Sequence, residues 1–113
     1  MDIGNNIQAK LTRGLLDLII LQLLDHNPMH GYQIITKIRK TFGVYLGAST
    51  IYPLLKRMEK EGYVKSEWSK NSNRPRKMYS LTGNGQTMLN FNEDSIKLIC
   101  QKIATQTSTE YDH

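Results

Sequence analysis

The sequence predicts an α+β fold, mostly α: a winged helix-turn-helix with a two-stranded wing and an additional C-terminal helix. Three observations predict it. Apolar residues recur at helical spacing in four separate segments. Between the third and the fourth, two six-residue segments alternate apolar and polar side chains, as strands do. The loop that joins those two strands is basic. A chain of 113 residues is expected to form one compact unit of this kind.

Charge is distributed unevenly along the chain. The formal net charge is +5, but residues 37–77 alone carry eleven Lys or Arg against three acids, and the remainder is net acidic. A basic middle indicates a polyanionic partner at one face. Cys100 is the only cysteine, which excludes an internal disulfide and suits a reducing compartment. The longest apolar run, Leu18–Leu21, is too short to cross a bilayer. The protein is therefore expected in the cytoplasm, without a membrane partner.

The first two predicted helices span Gln8–Asp25 and Gly31–Thr41. The first is apolar almost all the way round, so its own small core can cover only one side. A second subunit is the expected cover for the other side. Asn27 and Pro28 favour a turn between the two helices.

The third predicted helix, Ala48–Gly62, has its apolar residues at positions i, i+3, i+4 and i+7 from Ile51. Ser49 or Thr50 is predicted to cap its start, and Gly62 to end it. A solvated surface helix would share these features, but a cationic outer face without a carboxylate suits the major groove of DNA. That outer face carries Ser49, Tyr52, Pro53, Lys56 and Lys60, with Arg57 on its flank.

The predicted strands, Tyr63–Trp68 and Lys77–Thr82, form a hairpin whose loop contains Lys70, Arg74 and Arg76 but no acid. This loop is the wing. Thr82 is predicted to cap a last helix over Gly85–Ala104, which also has an apolar stripe. The expected division of the chain is a winged-helix DNA-binding domain over residues 1–83, a dimerisation helix over residues 84–105, and a disordered tail over residues 106–113.

Five motifs then resemble those of the PadR family of bacterial and archaeal transcriptional regulators. The similarity covers roughly residues 9–90. Arg13–Leu21 resembles the first helix of that family, His30–Ile34 its second-helix signature, Ser49–Val64 its recognition helix, Arg76–Tyr79 the returning strand, and Leu81–Gly85 the step into the last helix.

The resemblance implies more than spacing does. Members of the family are dimers that bind double-stranded operator DNA, usually as repressors, and their C-terminal helix packs on the first helix of the partner. The short C-terminal region looks like that of the compact subfamily. Some compact members bind flat aromatic or multidrug-type ligands at the dimer interface. A small-molecule effector at that interface and no effector at all both stay open, and the terminal helix of this chain contains no tryptophan.

Candidate residues follow from these patterns. The two tyrosines among them would either give a phenol to a phosphate or pack as partly buried rings, and the wing cations are expected to position the DNA rather than read bases. The candidate DNA-binding residues are Tyr32, Ser49, Thr50, Tyr52, Pro53, Lys56, Arg57, Lys60, Arg74, Arg76 and Lys77. The candidate dimer-interface residues are Leu11, Leu15, Leu18, Ile19, Met88, Ile96, Ile99 and Ile103.

No catalytic residue, metal site or cofactor is predicted. His26 and His30 are four residues apart, but Pro28 between them should keep them off a common helical face. Serine, histidine and acidic residues do not form a recognisable nucleophile–base arrangement. The competing interpretation is a winged helix that contacts proteins and has no specific DNA binding. The basic wing and the lysines of the third helix disfavour it, because protein interfaces are depleted in lysine.

Overall fold

The computed structural model describes the backbone of residues 3–70 and 73–111, and the side chains of residues 9–70 and 73–106. It confirms a mostly helical α+β fold with a hairpin wing. The elements are α1 (Ile3–Gly14), α2 (Leu16–His26), β1 (Met29–His30), α3 (Gly31–Phe42), α4 (Ala48–Lys60), β2 (Val64–Trp68), β3 (Lys77–Leu81) and α5 (Gly83–Tyr111).

The first predicted helix, Gln8–Asp25, is wrong as a single element, because the chain bends at Leu15. That residue has φ −108° and ψ 16°, which leaves the helical region and separates α1 from α2. Hydrogen bonding nevertheless continues, since the Leu15 amide donates to the Leu11 carbonyl and the Ile19 amide to the Leu15 carbonyl, both at 3.0 Å. Gly14 accounts for the bend, because glycine is a poor helix former and a common kink site.

The predicted hairpin is confirmed, but a third strand that the sequence did not predict completes the sheet. The strand order is β1-β3-β2, and both pairings are antiparallel. Met29 lies opposite Tyr79, and His30 lies opposite Met78. Two residues are too few to show a strand alternation, so β1 left no periodic signal. Its effect is to attach the wing directly to the start of α3.

The core is made by the apolar stripes of α2, α3 and α4, closed by the first turns of α5. Within α5, Leu89 is almost fully buried, whereas every described residue from 97 to 106 is exposed. The helix therefore stands on the core at one end and extends away from it at the other. The largest fully buried side chains are Ile20, Leu21, Ile34, Ile38, Ile51, Leu55, Met58, Leu89 and Val64.

The ends of α4 are only partly as predicted. The N-cap is Gly47, which makes no side-chain hydrogen bond, so the prediction that Ser49 or Thr50 caps the helix is wrong. The C-terminal end is confirmed. Gly62 has φ +88°, and its amide donates to the Glu59 carbonyl at 3.0 Å. The next amide, of Tyr63, donates to the carbonyl of Met58, which completes a Schellman motif.

Thr82 links the end of α4 to the start of α5. Its hydroxyl donates to the Gly62 carbonyl at 2.6 Å and accepts from the Gly85 amide at 3.0 Å. The predicted cap is thus confirmed, although α5 begins at Gly83 and runs to Tyr111, seven residues beyond the predicted end. Through this hydroxyl, the orientation of α5 is tied to that of α4.

Candidate nucleic-acid interface

The outer face of α4 is exposed along its whole length. Its apolar face is buried in the core, so the amphipathic pattern leaves the hydroxyls and cations outside. Gly47 offers no side-chain acceptor, and the Thr50 and Ile51 amides donate to its carbonyl, so no capping side chain covers the start of α4. Exposed side chains on this face and its flank are Ser49, Thr50, Tyr52, Pro53, Lys56, Arg57 and Lys60.

Tyr52 lies directly against the start of α3. A Cβ atom added to Gly31 would lie 2.5 Å from Cε1 and Cζ of the Tyr52 ring and 2.6 Å from its hydroxyl oxygen. The ring therefore occupies the space that any other residue at position 31 would fill. It still keeps 41% of its surface exposed. The two interpretations of this tyrosine thus coexist, since a ring packed on Gly31 also faces the solvent on the outer face of α4.

Gly31→Ala is expected to displace the Tyr52 ring and to weaken DNA binding by about tenfold. A displacement of about 1 Å is enough to disrupt a hydrogen bond from the Tyr52 phenol to a phosphate. The change is measured by fluorescence anisotropy on an operator duplex. Tyr52→Ala removes the ring and supplies the control background. In that background Gly31→Ala should have almost no further effect. Equal penalties for Gly31→Ala in both backgrounds would show that Gly31 does not act through Tyr52.

The wing lies on the same side of the molecule as the outer face of α4. Between them is an open cleft of about 940 Å³. Its walls combine aromatic rings with cations, a composition typical of surfaces that bind nucleic acid. Among the side chains that line it are Tyr32, Tyr52, Trp68, Arg74, Arg76 and Lys77. Of these, Arg74 and Arg76 are exposed and Lys77 is half-buried.

Two predicted DNA-binding cations are engaged within the protein. The Arg57 guanidinium lies 3.1 Å from Asp17 and 3.4 Å from Glu61, which joins α4 to α2. The Lys77 ammonium lies 3.9 Å from Glu59. Such exposed pairs contribute at most about 1 kcal/mol each, so they orient these side chains more than they stabilise the fold. Among the described residues, Lys56 and Lys60 form no ion pair.

His30 belongs to this surface and was missed as a site residue from the sequence. It caps α3 in a capping box with Gln33, and its Nε2 atom lies 3.1 Å from Nη1 of Arg76 on the wing. Burial, and secondarily the positive charge of Arg76, lower the pKa of His30 below its usual value. The signal in the sequence was the spacing of a capping residue and a glutamine three positions later, just before a helix.

The predicted dimer-interface residues lie in two places. Leu11, Leu15, Leu18 and Ile19 lie around the bend between α1 and α2, where Leu11 is 58% exposed. The other four lie along α5. Met88 and Ile96 are half-buried, while Ile99 and Ile103 are 54% and 62% exposed. Both surfaces therefore leave large apolar side chains exposed in the single chain.

Outside this surface, the described residues provide few candidate groups for metal binding or catalysis. They contain no group of three or more His, Cys, Asp or Glu side chains that could hold a metal ion. His26 ends α2 and His30 caps α3, so the two histidines are not on one helical face. Cys100 is an exposed thiol on α5. In the described part of the chain, no helix has the length and apolar character needed to span a membrane.

Comparisons with known proteins agree on the family. The Transcriptional regulator PadR-like family matches residues 20–90. A PadR family transcriptional regulator from Eggerthella lenta is 31% identical, with a TM-score of 0.80 over 92% of this chain and 91% of its own. A PadR-like transcription factor from Bacteroides fragilis is 30% identical, with a TM-score of 0.74 over 87% and 95% of the two chains.

Another similar structure contains DNA. PadR of Bacillus subtilis, solved in complex with operator DNA, is 30% identical with a TM-score of 0.62, over 67% of this chain and 44% of its own. No curated protein matches the chain significantly.

Proposed function

The chain belongs to the PadR-like family of transcriptional regulators, and from this premise we propose that it represses transcription by binding a two-fold symmetric operator as a homodimer. One observation carries the proposal. Tyr52 on the outer face of α4 borders the same cleft as the wing cations Arg74, Arg76 and Lys77, so a single DNA duplex can contact both elements. A surface with this charge and this shape matches the docking of a winged helix-turn-helix.

In this proposal α4 enters the major groove with its first turn toward the base edges. Ser49 and Thr50 are exposed there, and Lys56 and Lys60 follow about two and three turns later, where their side chains would reach phosphates. Arg74, Arg76 and Lys77 of the wing hold the sugar–phosphate backbone, which sets the register of α4 in the groove. Tyr32, 67% exposed on the rim of the cleft, and Tyr52 give their phenols to phosphates.

The dimer follows from the uncovered apolar surfaces. We propose that α5 of one subunit packs on the bend between α1 and α2 of the other, because both surfaces are apolar and each keeps large side chains exposed in its own chain: Leu11 and Leu15 at the bend, and Ile99 and Ile103 on α5. Two-fold symmetry would bury each surface twice. Residues 1–83 would then bind DNA and residues 84–105 would hold the dimer. For a small-molecule effector, the proposed site is a cleft of about 500 Å³ beside α5, lined by Leu18, Ile19, Leu23 and Phe42.

The proposal is tested by fluorescence anisotropy with a duplex from the region upstream of the chain's own gene, beside a scrambled duplex of equal length. The native duplex should bind at least about a hundredfold tighter at physiological salt. Equal and weak binding of both duplexes at every salt concentration would favour a winged helix that contacts proteins instead.

Lys56→Ala is expected to weaken operator binding by about tenfold and to reduce the slope of log affinity against log salt by about one. The physical reason is the loss of one phosphate neutralisation. Lys40→Ala is the matched control, because Lys40 is an exposed lysine in the last turn of α3, away from the cleft. An unchanged salt slope for Lys56→Ala would place α4 outside the groove.

A further inference from the structure

The His30 side chain faces a hydrogen-bond donor on each side. Its Nδ1 atom lies 3.3 Å from the backbone nitrogen of Gln33, as the cap of α3 requires. Its Nε2 atom lies 3.1 Å from Nη1 of Arg76. A backbone amide nitrogen and a guanidinium nitrogen can only donate.

No protonation state of His30 satisfies both contacts. The neutral ring has one donor and one acceptor nitrogen, so if Nδ1 accepts from Gln33 then Nε2–H points at the Arg76 donor. If Nε2 accepts from Arg76 instead, the cap of α3 is lost. The doubly protonated ring is worse, because both nitrogens then donate, and the lowered pKa of His30 disfavours that state. An acceptor is missing between the imidazole and the guanidinium.

We propose that His30 Nε2–H and the Arg76 guanidinium together bind one oxyanion, a phosphate of the DNA backbone. A phosphate oxygen accepts from both donors at once, and a charge-assisted bond to a guanidinium is a strong one. His30 can then keep Nδ1 as the acceptor for Gln33, so the cap of α3 and the bound phosphate require the same tautomer. The site rests on the proposed function, since it adds one residue to that DNA-binding surface.

The surroundings of the pair suit an anion. The pair lines the cleft between the wing and α4, beside Arg74 and Tyr32. Of the acidic residues near the wing, Glu59 is engaged by the Lys77 ammonium at 3.9 Å and by the Ser66 hydroxyl at 2.5 Å, and Glu67 lies on β2, across Met78 of β3 from His30. The β1–β3 pairing places His30 opposite Met78, and so holds the imidazole at the base of the wing. A phosphate here would bridge α3 and the wing.

The test uses operator duplexes in which one phosphate at a time is replaced by an uncharged methylphosphonate. Wild-type protein should lose about tenfold in affinity at one particular phosphate of each half-site, as expected for one charge-assisted contact. His30→Asn keeps an N-cap acceptor for Gln33 but has no group that reaches Arg76. His30→Asn and Arg76→Gln should each bind the unmodified duplex more weakly. Both should be insensitive to replacement of that one phosphate.

A double-mutant cycle and a neighbouring cation complete the test. If the two side chains share one phosphate, the double variant should bind little worse than either single variant. Arg74→Gln, on the same wing, should stay sensitive to the replaced phosphate. Full sensitivity in His30→Asn and Arg76→Gln, or strictly additive penalties, would refute the shared site.

A second readout does not depend on an operator. Inorganic phosphate, added at constant ionic strength against chloride, should shift the His30 ring resonances in NMR spectra in a saturable way, and Arg76→Gln should abolish the shift. If wild-type protein binds no duplex but this shift is seen, the proposed function fails while the oxyanion site stands, with free phosphate as its ligand. The absence of both responses would refute the site as well.

Discussion

Gly85→Ala is expected to lower the free energy of unfolding by about 2–4 kcal/mol, one of the largest effects of any single methyl group in this chain. A Cβ atom at position 85 would overlap the carbonyl oxygen of Tyr63 and lie 2.7 Å from Cδ1 of Leu81. That carbonyl cannot easily move, because it accepts a hydrogen bond from the Thr82 amide at 3.2 Å. The first turn of α5 would have to leave the sheet instead.

Gly83→Ala is the matched control, two residues earlier in the same helix. A Cβ atom there would meet nothing within 4 Å, and the residue is exposed. It should be neutral or stabilising by up to about 1 kcal/mol, since alanine restricts the unfolded chain more than glycine does. Urea denaturation followed by circular dichroism measures both variants. Equal stability of the two would mean that α5 does not need its close approach to Tyr63.

Ile99→Glu is expected to convert the proposed homodimer into a monomer and to abolish tight operator binding. Ile99 is 54% exposed in the single chain, so the substitution should leave the fold of the monomer intact. In the proposed dimer the same side chain is covered, and burying an unpaired carboxylate costs several kcal/mol. Loss of the second half-site should then weaken operator binding by about a hundredfold or more, because the two recognition helices no longer act as a linked pair.

Gln101→Glu makes the same change of charge two residues further along α5. It replaces one exposed polar residue by another, so it should leave the dimer intact. Analytical ultracentrifugation gives the mass of each variant, and anisotropy gives its affinity for the operator. A wild-type protein that sediments as a monomer, or an Ile99→Glu variant that stays dimeric, would contradict the assignment of α5 to the interface.

Hydrophobic periodicity predicted the helices that pack on the core through a regular apolar stripe. Both α3 and α4 have regular apolar stripes, and their observed bounds lie within two residues of the predicted ones. Where no stripe exists, prediction failed. The polar stretch after Ala104 gave no reason to extend α5, although it is compatible with helix. The bend at Leu15 and the two-residue strand β1 depend on local geometry that spacing alone does not contain.

The candidate DNA-binding surface likewise has features that periodicity predicted and features that it could not predict. Exposure of the α4 cations followed from the buried stripe opposite them. The pairing of His30 with Arg76 joins residues 46 positions apart, and it depends on the register between β1 and β3. The close approach of Tyr52 to Gly31 depends likewise on how α3 and α4 cross. Neither could be obtained from a one-dimensional pattern.

Trp68 gives this protein a built-in optical probe. It is the chain's only tryptophan, it lies on β2 at the base of the wing, and 63% of its surface is exposed. Selective excitation of tryptophan therefore observes the wing alone, although six tyrosines are spread over the rest of the chain. Stacking or dehydration of its indole should change the emission when a ligand enters the cleft. Binding to unlabelled DNA or to free phosphate can thus be followed by light from the unmodified protein, without a dye on either partner.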